Sequence, residues 1–410
     1  MRHLKRALTG LLLAIGLACP SHGAEPVRIG EMNSYRAVPA FTVPYRNGWQ
    51  LAVNEINAGG GVLGGRPLVL VSRDDGAKRA DALAVAQDLV DKEGVGIIVG
   101  SFLSNIGLAL SEFARRNRIV YLAAMPMTDD LVWAKGNRYT FRLRASSYMQ
   151  ANMLAERAAL LPAKRWAVIA PDYEFGRSVA ANFEACLQAR RPDVRFVAEQ
   201  WPALGGLDPR KVVPPLLQAN PDAIFNATFG SDLGRLVHDG NGLGLFAGRS
   251  VVSILTGEPE ILDSLADEAP EGWIVTGYPW YAIATAEHRK FVEAYRAAYD
   301  EDPRMASLLG YALVKALAAA IDKAGGTAPD KLIKALEGLS FATPVGPVTV
   351  RAADHQATLG TWVGTTAIEN GGGIMVDWTY DDGETYLPDP EQARRKRPAD
   401  ADGGFGKKHQ

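Results

Sequence analysis

From residue 27 to residue 276 the chain runs twice through the same alternation of short, mainly apolar segments and amphipathic stretches. No other feature limits the possible folds as tightly. Strands that are apolar on both faces belong inside parallel sheets covered by helices on each side. In the first series, residues 27–30, 67–71, 95–99 and 119–123 read as strands. Between them Trp49, Ala52, Val53 and Ile56 recur at helical spacing over 47–57, and the glycines at 59–61 stop that helix. Further helical faces follow over 82–90 and 104–117. The second series starts at Arg165, with strands over 166–170, 194–199, 223–226, 251–255 and 273–276. The fold class predicted is α/β: two Rossmann-like lobes, each a doubly wound parallel sheet.

The rest of the chain changes character. Residues 286–299, 306–325 and 331–339 read as helices, and two strand-like runs flank Glu369-Asn370-Gly371-Gly372-Gly373 as a hairpin. The lobes are expected to comprise 24–143 with 279–342, and 144–278 with 343–387. Three crossings would join them, near 141–147, 277–281 and 342–350. Beyond Pro388 the charged, Pro/Gly-rich sequence suggests a disordered tail over 388–410.

Residues 1–23 read as an export signal. Arg2, Lys5 and Arg6 precede a short apolar run, and Ser21 and Gly23 occupy −3 and −1 of a cut before Ala24. The run is too short to cross about 30 Å of hydrocarbon. Its removal takes away three basic and no acidic residues, so the formal charge falls from -2 to -5. Cys19 is a weak lipidation candidate, with Gly16 where leucine is wanted. Cys186 then remains as a lone thiol, expected to be buried, so no internal disulfide can form. The expected location is the periplasm.

A chain without basic excess is poorly suited to nucleic acid. Neither a phosphate loop nor an HExxH, CxxC or GxSxG pattern is present, and the six histidines are scattered. The residues specify no enzyme, cofactor or metal.

Open α/β sheets bind ligands beyond the carboxyl ends of their strands, which in two facing lobes means a shared cleft. The strand ends therefore nominate the site. Ser104 and Asn105 open a helix after the third strand, where first-turn amides favour an anion; an ordinary cap at Ser104 fits the pattern equally well. Met125 and Met127 follow the fourth strand. In the second series, Tyr173 and Phe175, Phe229, Glu258 and Tyr278 follow successive strands. Aromatics with one acid describe an amphipathic ligand pocket.

The motif order over about residues 27–387 resembles the type I periplasmic binding proteins, closest to the leucine/isoleucine/valine-binding family of ABC importers. The resemblance rests on Val27-Arg28-Ile29-Gly30, Asn54-Glu55-Ile56-Asn57-Ala58-Gly59-Gly60, Asp74-Asp75, Gly100 with Ser104, and Ala269-Pro270-Glu271-Gly272. It implies a non-enzymatic monomer that closes on its ligand and docks on inner-membrane permeases. It also implies that Ser104 holds a carboxylate, that Glu258 holds an ammonium, and that Phe41, Phe175 and Phe229 are side walls. The sequence departs from the family at Met127, where a threonine is usual, and in the loop Asn33-Ser34-Tyr35-Arg36-Ala37. The expected ligand is a hydrophobic amino acid or a related small carboxylate or amide. The rival reading is a periplasmic sensor of the same fold that binds an aromatic or aliphatic acid.

Overall fold

The computed structural model describes residues 24–399 and 401. The export signal, Cys19 and the cut before Ala24 lie outside these residues, as do 400 and 402–410. Among the described residues the two strand series build two large sheets.

The first sheet comes from the first series. In chain order its elements are β1 (Val27–Asn33), α1 (Pro39–Ala58), β2 (Leu68–Asp74), α2 (Arg79–Glu93), β3 (Ile97–Gly100), α3 (Ser104–Asn117), β4 (Val120–Ala123) and β5 (Thr140–Arg142). The strands run in the order β2-β1-β3-β4-β5, and every pairing is parallel. β3 and β4 are buried along their whole length, as their unbroken apolar sequences require. Helix α1 starts eight residues earlier than its periodicity suggests. Pro39 sits at its first position, where a missing N–H costs nothing, and Pro44 gives up one backbone bond. Burial of Phe41, Tyr45 and Trp49 outweighs that loss.

The chain then passes to the second sheet. It forms α4 (Ser147–Ala158), β6 (Arg165–Ile169), α5 (Glu174–Arg190), β7 (Arg195–Gln200), α6 (Pro209–Gln218), β8 (Ala223–Asn226), α7 (Gly230–Gly242), β9 (Ser250–Gly257), α8 (Pro259–Leu265) and β10 (Ile274–Gly277). Cys186 is a free, buried thiol in α5. After β10 the chain returns to the first lobe with α9 (Ala286–Tyr299), α10 (Met305–Ala324) and α11 (Pro329–Leu336). Helix α10 is long and apolar enough to span a bilayer, but it is mostly buried inside the protein. It lies hard against α1 because two glycines remove the side chains between them. A Cβ on Gly48 would fall 2.0 Å from the Ser307 carbonyl oxygen, and one on Gly310 would fall 2.2 Å from that of Tyr45.

The expected crossing at 342–350 is instead a small hairpin, β11 (Ser340–Thr343) with β12 (Gly346–Thr349). The chain crosses just after it, and β13 (Thr361–Glu369) and β14 (Gly372–Asp381) complete the second sheet in the order β14-β13-β10-β9-β8-β6-β7. Only β13 runs against the other strands, so its pairings with β10 and with β14 are the antiparallel ones. The first and third crossings are stitched together. Arg142 Nε donates to Gln356 Oε1, and Gln356 Nε2 donates to the Arg144 carbonyl at 3.0 Å. The tail expectation also needs correcting, because α12 (Pro390–Arg395) is a helix. Asp389 caps it by accepting from the Glu391 and Gln392 amides, Pro390 opens it, and Arg351 holds the Pro388 carbonyl at 2.7 Å.

Candidate functional site

The carboxyl ends of both sheets face one another, and the loops there close over a small cavity. Phe102, Ser104, Met125 and Met127 line it from the first lobe. Tyr173, Phe175, Phe229 and Leu255 line it from the second, and Arg144 lines it from the first crossing. The lobes meet at an aromatic seam. Phe229 lies 6.0 Å from Phe102 and 6.1 Å from Phe41 across the cleft, and 5.9 Å from Phe175 on its own side. Such edge-to-face contacts add about 0.5–1.5 kcal/mol each beyond the area they bury.

Six of the residues chosen from the sequence therefore share one cavity: Ser104, Met125, Met127, Tyr173, Phe175 and Phe229. Ser104 plays a different part from the cap its position suggested. It is the first residue of α3, and its Oγ accepts from the amides of Met127 and Thr128 at 3.2 and 3.3 Å. With those lone pairs taken, its O–H remains to donate. Thr128 turns away and donates to Glu174 Oε1 of the other lobe at 2.7 Å.

Four expectations fall elsewhere. Phe41 stands behind Phe102 and Phe229 as support, with ring centroids 5.2 and 6.1 Å away. Asn105 is exposed on α3. Tyr278 is fully buried, and its hydroxyl meets His288 Nε2 at 2.6 Å, so its polar tip is spent in the core. Glu258 is not a cavity wall but sits behind one, where it receives a hydrogen bond from Arg144 Nη2.

Arg144 and Glu258 dominate the electrostatics. Each side chain is only 3% exposed. Burial pushes the Glu258 carboxyl up to about 8, opposed by Arg144 and reinforced by the neighbouring Glu260. A guanidinium does not shed its charge. Arg144 lines the cavity while pairing with Glu258 through Nη2, and its Nε has no partner among the described residues. An apolar, aromatic chamber lined by one cation and by the hydroxyl-bearing Ser104 and Tyr173 is fitted to a small anion with a hydrophobic body.

The sequence pattern did not single out Phe102, Arg144 or Leu255. Leu255 sits in the left-handed region at φ 68°, which is costly for a leucine. Thr276 Oγ1 fixes it there by accepting from its amide at 2.9 Å, and itself donates to Gln150 Oε1 at 2.8 Å.

A family model described as periplasmic binding protein matches residues 27–372. The chain belongs to that family. Among its relatives is a Leu/Ile/Val-binding protein homolog of Brucella suis, 26% identical over 360 residues that make up 82% of this chain and 87% of the relative. The periplasmic binding protein fold recurs in a solute-binding protein of an ABC transporter from Rhodopseudomonas palustris, solved with 3,4-dihydroxybenzoic acid. That structure has a TM-score of 0.79 at 20% identity, with 90% of this chain and 99% of that one covered. A leucine-binding protein of Thermotoga maritima is similar as well, with a TM-score of 0.76 at 22% identity and coverage of 86% and 98%. The family is one of substrate-binding proteins rather than enzymes, its members capture small molecules, and membership implies export to the periplasm.

Proposed function

We propose that this periplasmic binding protein delivers a small hydrophobic carboxylate to an ABC permease, and that an aromatic acid of the benzoate class is its first-choice ligand. The observation that carries this reading is the Arg144–Glu258 pair. The acid that could hold a ligand ammonium is already engaged by a guanidinium, whose unpartnered Nε–H is the donor left over for a carboxylate. Ser104 O–H and Arg144 would hold the carboxylate, while Phe102, Phe175, Phe229 and Met127 enclose the ring. The likeness to the protein solved with 3,4-dihydroxybenzoic acid supports the same class.

The second reading is a hydrophobic amino acid, supported by the position of Glu258 and by the Leu/Ile/Val-binding relatives. It requires the ligand ammonium to displace Arg144 from Glu258. In either case the mature chain is proposed to start near Ala24 and to work as a monomer without nucleic acid.

Thermal shift with benzoate, 4-hydroxybenzoate and leucine tests the choice, since a ligand at 100 times its Kd adds about 2.7 kcal/mol. Aromatic acids should raise the melting temperature, and Arg144→Met should abolish that rise. Stabilisation by leucine alone would overturn the aromatic reading.

A further inference from the structure

Helix α10 carries an incomplete cap. Its first-turn amides have no partners within the helix, and the residue at its N-cap is Arg304, whose side chain accepts nothing. Ser307 Oγ completes half of a capping arrangement by accepting from the Arg304 amide at 2.7 Å. The other half comes from the opposite lobe. Glu260, at the start of α8, accepts from the Ala306 amide at 2.7 Å and from the Met305 amide at 3.3 Å. Arg304 reaches back across the same gap to Asp263 Oδ2 at 2.7 Å and to the Pro259 carbonyl at 3.2 Å. Glu260 is only 3% exposed, so its carboxylate is enclosed when these bonds form.

Helix α10 is fixed on α1 by the Gly48 and Gly310 contacts, and α8 packs on β9 and β14. Neither end of this connection can drift on its own lobe. We propose that Glu260 is a positioning residue for ligand capture. By capping α10 from the second lobe, it latches the lobes shut and raises affinity without touching the ligand. In an open form both the carboxylate and the two amides return to water, so the latch belongs to the closed state alone. The inference rests on the two-lobed capture proposed above, but not on which acid is captured.

Its test needs no ligand. Spin labels at Lys92 on α2 and Lys211 on α6, both largely exposed, report the distance between lobes. The full chain would carry them as K92C and K211C, with Cys19 and Cys186 replaced by serine. Glu260→Ala should lower the closed-to-open ratio about tenfold, the equivalent of ~1.4 kcal/mol. Glu260→Gln, which can still accept one amide, should lower it less. Glu260→Ala could act only by damaging α10, and Arg304→Ser separates the two effects. A serine there supplies the helix with its own cap, so stability is kept while the lobes still open. With benzoate as probe, the apparent Kd should rise in proportion to the lost closed fraction. Distance distributions identical to wild type in Glu260→Ala and Arg304→Ser would overturn the latch. Failure of benzoate to bind would count against the proposed ligand and leave the distance result standing.

Discussion

Glu258→Gln separates a carboxylate ligand from an amino acid. The substitution preserves the shape of a side chain that is 3% exposed and its ability to accept from Arg144 Nη2, and it removes only the ionisation. With burial raising the carboxyl to about 8, the wild-type side chain is expected to hold its proton at pH 7. The glutamine is then close to a copy of the wild-type site, so benzoate should bind within about threefold at pH 7. Above pH 8 the wild-type acid ionises and neutralises Arg144. Wild-type affinity should then fall, approaching about tenfold per pH unit, while the variant holds steady. A ligand with a buried ammonium would behave in the opposite way. Loss of its counter-charge costs about 3–5 kcal/mol, which is more than a hundredfold in Kd. Isothermal calorimetry with benzoate and with leucine at pH 6, 7, 8 and 9 reads both outcomes. A hundredfold loss for benzoate at pH 7, or parallel curves for the two proteins above pH 8, would refute the reasoning.

Fold stability should carry a related signature at Glu31, which is fully buried, has one unpartnered oxygen among the described residues and is raised by burial to about 8. The folded state keeps that proton where the unfolded chain, with a pKa near 4.3, has lost it. Its stabilising contribution is therefore full below about pH 4 and declines as pH rises toward 8. Glu31→Gln should flatten the fall in urea midpoint between pH 5 and 8. Gly310→Ala forces a methyl to within 2.2 Å of the Tyr45 carbonyl oxygen and should cost about 1–3 kcal/mol, seen as a lower urea midpoint at unchanged slope. Ser104→Ala removes one donor to the ligand and should weaken benzoate binding by about 1–2 kcal/mol in the same calorimetry.

The doubled sheet architecture was legible because its signal is periodic and local. Buried strands such as β3, β4 and β8 announce themselves as runs without a charged residue. Much of the cavity was legible too, since in such sheets the residues just past each strand must face the cleft. The misses share a cause. Tyr278 also follows a strand, but its destination depends on His288, ten residues on and buried with it. Arg144 lies in a crossing, where sequence offers no period, and its importance comes from Glu258, 114 positions away. Helix α1 was cut short because two prolines look like stops until the burial of Phe41 and Tyr45 is known. Likewise, charge and proline suggested disorder at 390–395, although Asp389-Pro390 is also a good start for a helix.

The threefold passage between the lobes bears on how the chain comes to be folded at all. The first lobe lacks the helix that fills its core until Met305–Ala324 has been made, and the second sheet waits for Thr361–Asp381. Strand β13 must find β10 across roughly ninety residues of intervening chain. Contacts of such long range form late and slowly. During synthesis neither lobe can finish its core before nearly the whole polypeptide has emerged. A protein bound for the far side of a membrane thus has, in the order of its strands, a reason to remain threadable until it arrives.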